Sequence, residues 1–529
     1  GQTPCSCAQA NPGAAPTPPP AGTPDAECSA RANELLVAPV PNPDARGLVE
    51  KVLRDEGVEI DYRPSLDVFV VRAGTRRQRE VLEERLRRKS PVLFVEPNYG
   101  YRPGQSSPPV DDPLFDEQWA LDDPPRDADV NAPDAWKAVA GRKPGIVGIV
   151  DSGVDFGSVE LDQARWNSAG GMDFTTSPPA KLPQNGSDGT GHGTKVASII
   201  AADTDNRTAI AAVAPRALLV ACRASAADCA TADAVASCIE HLAGMESQVV
   251  AANVSLSGTG CSCTVEREIR ESRDEGMLVV ASAGNEGTSN DVIPRYPASY
   301  PVSNVIAVAA TNPTPAMSHF NRGPRTVHLG APGTGVITLR AGGDPQSPGT
   351  TTVHGTSFAA PHVSGVLSLL AANGVKDWRK SRKLVITSGV PLSTAAARKE
   401  TISGRTLRAW DRNGQGALTC KGQSVWKRIQ PVADVCAMPG GQDSMVVRAF
   451  GAECDESMEP RVEWKQKHAQ KAKWQPLGMR DDGQYPDETA DDGEWAGMWR
   501  RPPAGKTYKL VVRDPKSPTS EKDSLKVIR

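Results

Sequence analysis

Apolar runs of strand length, GIVGIV, ALLVACR, QVVAANVSL, MLVVASAG and NVIAVAA, follow one another between residues 145 and 310 and alternate with segments of helical period. Runs without polar alternation are buried on both faces, and helices between them predict a parallel α/β sheet covered on both sides. The pattern differs on either side of this block. Residues 1–30 hold the stretch NPGAAPTPPPAGTP, too poor in apolar surface to offset chain entropy, and are expected to form a disordered N-terminal segment. From 31 to 103 the order is strand (ELLVAPV), amphipathic helix (DARGLVEKVLRDEG), two strands (VEIDYRPSLDVFVVRAG), charged helix (RRQREVLEERLRRK) and strand (PVLFVEPNYGYRP). That order predicts a small ferredoxin-like β-α-β-β-α-β domain.

A turn-rich linker, GQSSPPVDDPLFDEQWALDDPPRDADVNAP, opens the next region, so that linker and α/β block together span 104–420. Residues 421–529 begin with a connecting segment, and beyond about 440 helical periods vanish. SMVVRAF, RVEWKQK, GEWAGMW and TYKLVVRD, separated by Asp-Gly turns at 482–483 and 492–493, predict a small all-β sandwich.

The chain has 529 residues, which suggests about three to four domains. With 23% charged residues and a formal net charge of −3, it lacks the basic excess that phosphate backbones demand, so nucleic acid is not expected as a partner. No apolar run reaches the 18 or so residues needed to span a bilayer. The first residue is not Met and no basic-then-apolar leader follows, so a signal peptide is expected to have been removed.

Eleven cysteines, clustered as Cys222, Cys229 and Cys238, Cys261 and Cys263, and Cys420, Cys436 and Cys454, suit disulfides in an exported protein. Their pairing stays open. The CSC pairs at 5–7 and 261–263 could alternatively hold metal, although no complementary Cys/His set stands nearby at zinc-site spacing.

Three stretches carry candidate chemistry. GIVGIVDSGVD puts Asp151 after an apolar strand, at the carboxyl end where sites of open α/β sheets assemble. GTGHGTKVASIIAA puts His192 in a glycine-flanked turn that opens a helix, and GTSFAAPHVSG puts Ser357 at the start of another. Taken singly, each is equally well a turn or cap residue. His362, five residues after Ser357, is rotated about 140° from it on a helix and is read as scaffold.

Together, in the order Asp, His, Ser, these stretches resemble the signatures of the subtilisin-like serine proteases, and the resemblance runs over roughly 112–420. It takes in NVSLSG at 253–258, AGNEG with Asn285, and YPASYPVSNVIAVAATN. It implies a serine endopeptidase in which His192 takes the proton of Ser357, Asp151 holds the imidazole, and the Asn285 amide with the Ser357 N–H receives the oxyanion. That chemistry calls for no cofactor.

The resemblance also implies that Ser255, Leu256 and Ser257 lend main-chain hydrogen bonds to an extended substrate. Ser282, Ala283 and Gly284 are implied as a wall of the pocket for the residue before the cleaved bond. Ser257 replaces a usual glycine, and Arg295 falls near the pocket floor; pointing inward it would favour an acidic residue, pointing outward it would leave the pocket broad and apolar. Residues 31–103 resemble the family's chaperone propeptide, an intramolecular inhibitor released by cleavage between Tyr101 and Asp112. Structural calcium is common in the family, and Gln118 and Glu160 lie near ligand positions, although DTDNRTAIAAVAP departs from the usual ligand loop. The acidic run at 481–494 reads as hairpin turns or as a calcium site.

The leading expectation is therefore a secreted or envelope-bound endopeptidase acting on proteins and peptides and made as a zymogen. The alternatives are a silent or autoprocessing-only adhesion protein working through its C-terminal β domain, or a ligase that passes the acyl-enzyme to an amine.

Overall fold

The computed structural model describes residues 34–97 and 110–418, apart from 41, 43, 64–66, 90, 124–125, 127, 162–170, 184–185, 228, 315, 343, 345 and 411–415, and beyond 418 the strands given below with residue 479. The N-terminal tail, the start of the linker through residue 109, the acidic run at 481–493, and Cys5, Cys7, Cys28, Cys420, Cys436 and Cys454 lie outside these described residues. The chain divides into two compact units, 1–109 and 110–529.

The first unit contains β1 (Glu34–Pro39), α1 (Ala45–Asp55), β2 (Glu59–Arg63), β3 (Val68–Arg72), α2 (Arg76–Leu86) and β4 (Val92–Pro97). Its antiparallel sheet has the order β2-β3-β1-β4. Alternation places Leu35, Val37, Phe69, Val71 and Val95 on one face, where Val49, Leu53, Leu82 and Leu86 of the two helices close a core. Thr75 starts α2 by accepting the N–H of Gln78, the expected act of an N-cap threonine.

The second unit opens with α3 (Ala132–Ala138), β5 (Ile146–Asp151), β6 (Gly153–Asp155), β7 (Met172–Asp173), β8 (Ala180–Lys181), β9 (Gly186–Asp188), α4 (His192–Ala201) and β10 (Leu219–Arg223). It continues with α5 (Ala232–Ala243), β11 (Val249–Val254), α6 (Cys263–Asp274), β12 (Leu278–Ser282), β13 (Val305–Thr311) and β14 (Leu329–Pro332). Then come β15 (Thr334–Leu339), β16 (Thr350–His354), α7 (Thr356–Ala372), α8 (Trp378–Thr387), β17 (Val390–Pro391) and β18 (Arg405–Thr406).

The main sheet runs β17-β18-β14-β13-β12-β11-β5-β10-β7-β8 and is parallel from β18 to β7. From β5 the chain first builds outward through β7, β8 and β10, then crosses to β11 on the other side. That reversal beside β5 opens a crevice at the carboxyl ends of β5 and β11. α7, apolar all round and buried almost throughout, lies against β11, β12, β13 and α4. Cys222 of β10 is bonded to Cys238 of α5.

Beyond residue 420, β19 (Ser424–Val432), β20 (Ser444–Glu453), β21 (Glu456–Ser457) and β24 (Glu494–Arg500) form one antiparallel sheet. A second joins β22 (Arg461–Gln466), β23 (Gln475–Leu477), β25 (Thr507–Asp514) and β26 (Ser517–Ile528). No described helix is long and apolar enough to cross a membrane.

Candidate active site

Asp151 ends β5 and is 1% exposed. Its Oδ1 lies 2.7 Å from His192 Nδ1 and accepts the Ser152 N–H at 2.8 Å. His192 is the first residue of α4, and its turn is held from below by Asp188. That carboxylate accepts the N–H groups of Thr190, Gly191 and Thr194 and the hydroxyl of Ser152. Burial pushes the His192 pKa down, but the charge and hydrogen bond of Asp151 more than offset it, so the net shift is upward; Lys195 opposes and Asp188 assists. With Nδ1 on Asp151, Nε2 is the free ring nitrogen. The ring also packs on Phe358, its centroid 5.4 Å away, which sets the imidazole against the first turn of α7.

Ser357 sits in that turn, and its Oγ donates to the carbonyl of Ser255 at 3.1 Å. No hydrogen bond joins it to His192 among the described residues. Ser255 Oγ donates in return to the Ser357 carbonyl at 2.7 Å and accepts from Asn253 Nδ2, while Asn253 Oδ1 takes the hydroxyl of Ser364. His362, buried one turn on, faces the Phe358 carbonyl through Nδ1, and desolvation pushes its pKa down to about 4, as befits a scaffold residue.

Asn285 is exposed between Gly284 and Gly287, both at positive φ. Its Oδ1 accepts the Thr356 N–H at 2.9 Å and lies 3.1 Å from Thr356 Oγ1, which leaves the amide N–H groups for the crevice. Gly355, the N-cap of α7, has φ +142°, and a methyl group there would stand 3.3 Å from Asn285 Oδ1.

The sequence-predicted pocket residues arrive from two strand ends. Ser255, Leu256 and Ser257 follow β11, with Ser255 buried and Ser257 exposed; Ser282 ends β12, Ala283 and Gly284 follow it, and all three are buried. The Ser255 carbonyl, expected to serve a substrate, here holds Ser357. Gly258 pairs with Tyr296 in an antiparallel bridge that closes the pocket loop onto YPASYP. The Arg295 side chain is largely buried, 16% exposed, and it is not a free cation: Nη1 stands 3.4 Å from Glu286 Oε1. Glu286 Oε2 also accepts the Asn285 N–H at 3.0 Å.

Ser152, Asp188, Asn253, Thr356, Ser364, Asn290 and Asn321 support this cluster and were not singled out in the sequence. Only Asp188 carried a usable signal, since the Asp-Gly dipeptide of SDGTGHG marks a side-chain-capped turn.

Of the two implied calcium donors, Gln118 is spent within the chain. Gln118 Oε1 accepts the Ala211 N–H at 2.8 Å while its Nε2 donates to the Ala211 carbonyl, and Asn206 gives its Oδ1 to the Thr208 N–H. Towards the buried Glu160, Asn206 presents its amide nitrogen, at 3.4 Å. The residues do not fit a ready cation cage, and among those described no cluster of three His, Cys, Asp or Glu groups could hold a metal. At the CSC pair 261–263, Cys261 is a free thiol and Cys263 is disulfide-bonded, so that pair is not a metal-ligating one.

Comparison with known proteins places relatives on this same segment. Thermitase of Thermoactinomyces vulgaris is 36% identical over 246 residues, covering 46% of this chain and 81% of that protein. A thermophilic serine proteinase of Bacillus sp. (strain AK1) is 31% identical over 293 residues, 54% of this chain and 64% of that protein. An extracellular protease of Xanthomonas campestris pv. campestris is 29% identical over 332 residues, 56% of this chain and 53% of that protein. The chain thus spans most of thermitase but less than two thirds of the other two. The family model described as the subtilase family matches residues 143–417, more than half of the chain and the whole stretch from β5 to α7, and the chain therefore belongs to the subtilase family of serine peptidases.

Proposed function

We propose that this protein is a secreted serine endopeptidase that cleaves proteins and peptides through an acyl-enzyme, with Ser357 as nucleophile, His192 as base and Asp151 as its orienter. The observation that carries the reading is the His192–Asp151 pair at 2.7 Å, in which the imidazole ring packs on Phe358 in the first turn of α7, beside Ser357. A rotation about the Ser357 side chain moves Oγ from the Ser255 carbonyl toward Nε2, and such catalytic hydrogen bonds commonly tighten only when substrate is bound. Oγ then attacks the scissile carbonyl as its proton passes to Nε2. The C–N bond breaks when the imidazolium returns that proton to the leaving amine, and water repeats the sequence on the ester.

Charge on the carbonyl oxygen would be met by the Asn285 amide, whose orientation is set by Thr356, and by the Ser357 N–H at the N-terminus of α7. The largely buried and paired Arg295 supports a charge-balanced pocket wall rather than one selecting acidic residues. The β-α-β-β-α-β order of residues 34–97 supports the propeptide reading, and the two antiparallel sheets after 420 support a β-sandwich used for docking or stability. Secretion draws support from the relative named an extracellular protease.

Fluorophosphonate labelling tests the reading. A stoichiometric adduct on the propeptide-free protein, abolished by Ser357→Ala, is expected. Absence of that adduct would leave the adhesion reading in its place. The same substitution is expected to leave the chain uncut between Tyr101 and Asp112.

A further inference from the structure

Asn285 poses a positioning problem. It lies in neither helix nor strand, and Gly284 at φ +108° and Gly287 at φ +73° flank its turn, so the local backbone is as unconstrained as a chain allows. An oxyanion donor, however, works only when held to within about 0.5 Å of its productive place. Thr356 fixes the side-chain oxygen, but the turn itself must be held from elsewhere.

Two buried amides do this from the side away from the crevice. Asn321 is 0% exposed and Asn290 is 1% exposed. Asn321 Nδ2 donates to the Ala283 carbonyl at 3.1 Å and to Asn290 Oδ1 at 3.0 Å, and Asn290 Nδ2 donates to the same Ala283 carbonyl at 2.9 Å. Asn321 Oδ1 accepts the Thr288 N–H at 3.1 Å, and its own N–H reaches the Gly284 carbonyl at 3.1 Å. Further main-chain bonds run from Arg322 N–H to the Thr288 carbonyl and from Asn290 N–H to the Arg322 carbonyl. The turn is thereby gripped where it leaves β12, at 283–284, and where it returns, at 288–290. Its tip, Asn285 and Glu286, is the exposed part of the turn.

We infer that Asn321, with Asn290 as its partner, is a positioning residue for the reaction, holding the base of the 283–290 turn so that the Asn285 amide is already aimed when the oxyanion forms. The inference rests on the proposed role of Asn285. Neither buried amide touches substrate. An ordinary satisfied core amide would support the fold equally, so the test must separate aim from stability.

Asn321→Asp is the informative change. It is nearly isosteric and keeps an oxygen for Thr288, but it sets oxygen instead of N–H against Ala283 and Asn290. With the full chain and a chromogenic peptide anilide, kcat is expected to fall about 10- to 100-fold, since a displacement of about 1 Å costs up to about 10². KM is expected to stay within about two-fold, because ground-state contacts are untouched. In an Asn285→Ala background the same substitution is expected to cost less than about two-fold more, the aim having lost its object. Lowering the pH is expected to narrow the gap between parent and variant, as the new carboxyl regains a proton to donate.

Full loss repeated in the Asn285→Ala background, loss confined to KM, or no loss at all would each overturn the inference. If Asn321→Asp shows no cooperative melt, Asn290→Ser carries the same cycle, with a smaller kcat loss expected because Asn321 still reaches Ala283. The underlying reading fails separately: Asn285→Ala alone would then leave kcat unchanged.

Discussion

In the proposed mechanism a proton leaving Ser357 meets an imidazole pulled in two directions, down by burial and up by Asp151, with the upward pull winning. His192 works as a base only when neutral. The acid limb of kcat/KM is therefore expected to have its midpoint above the ordinary histidine value of about 6.5, and a midpoint below that value would contradict the balance described. In stability the same shift has the opposite sense. Its contribution is present below the unfolded value and is lost as pH rises through the folded one. Asp151→Asn, which spoils the tautomer, is expected to lower turnover about 10⁴-fold while leaving the fold melting as before. Asn285→Ala is expected to cost about 10² to 10³, a figure supplied by subtilisin itself, a member of this family, and not obtained from the present geometry. Beside these groups stands the Arg295–Glu286 pair at 3.4 Å, in which neither charge dominates. Glu286→Gln would free the guanidinium, and peptide-library profiling is expected to show acidic residues before the cleaved bond rising about ten-fold. An unchanged profile would place Arg295 outside the pocket.

At the level of elements, the proposed catalytic groups stand where chain architecture requires them: Asp151 ends the strand beside the topological reversal, and His192 and Ser357 open the two helices packed on each other there. That much was legible because each demand is local. A strand of unbroken apolar residues, a glycine-flanked turn and a helix start each leave a mark within ten residues of sequence. What was not legible depends on residues far apart. Asn321 stands 36 positions after Asn285 inside HFNRGP, a stretch with no period or motif of its own, and only tertiary packing brings it under Ala283. The pairing of Arg295 with Glu286 was not legible either, since an arginine's partner is set by side-chain reach. Gly355 offers a test at this scale. Its φ of +142° is a conformation that side chains rarely adopt, and a methyl group would stand 3.3 Å from Asn285 Oδ1, so Asn285 would have to give way by a few tenths of an ångström. Gly355→Ala is expected to cost turnover at least ten-fold through Asn285 and about 1 kcal/mol or more of stability. A variant with parental kcat would show that the turn gives way freely.

At the scale of the second unit, the segment that leads into α3 is tied to the segment that follows β18. The Val130 carbonyl accepts the N–H of Ala409, Asp129 receives the N–H groups of Asp123 at 2.7 Å and Asn131 at 2.6 Å, and Arg408 Nη1 stands 3.8 Å from Asp129 Oδ1. Asp129 is 2% exposed, and desolvation raises its pKa to about 6 despite Arg408 and the two N–H donors. A carboxyl whose folded value lies above its unfolded one binds protons more tightly when folded. Its contribution to stability is therefore fully present below about 3.8 and is lost as pH rises through about 6. A gap of roughly two units corresponds to an effect on the order of 3 kcal/mol for so buried a group. Asp129→Asn cannot titrate, so the stability difference between parent and variant is expected to move in the parent's disfavour from pH 4 to pH 7 by that order, read from urea midpoints at each pH. A difference that stays flat across the interval would mean that Asp129 keeps an ordinary carboxylate pKa and that Arg408 fully compensates its burial. The two segments would then be joined by a permanent ion pair, and acid would loosen that join where the present geometry has acid strengthening it.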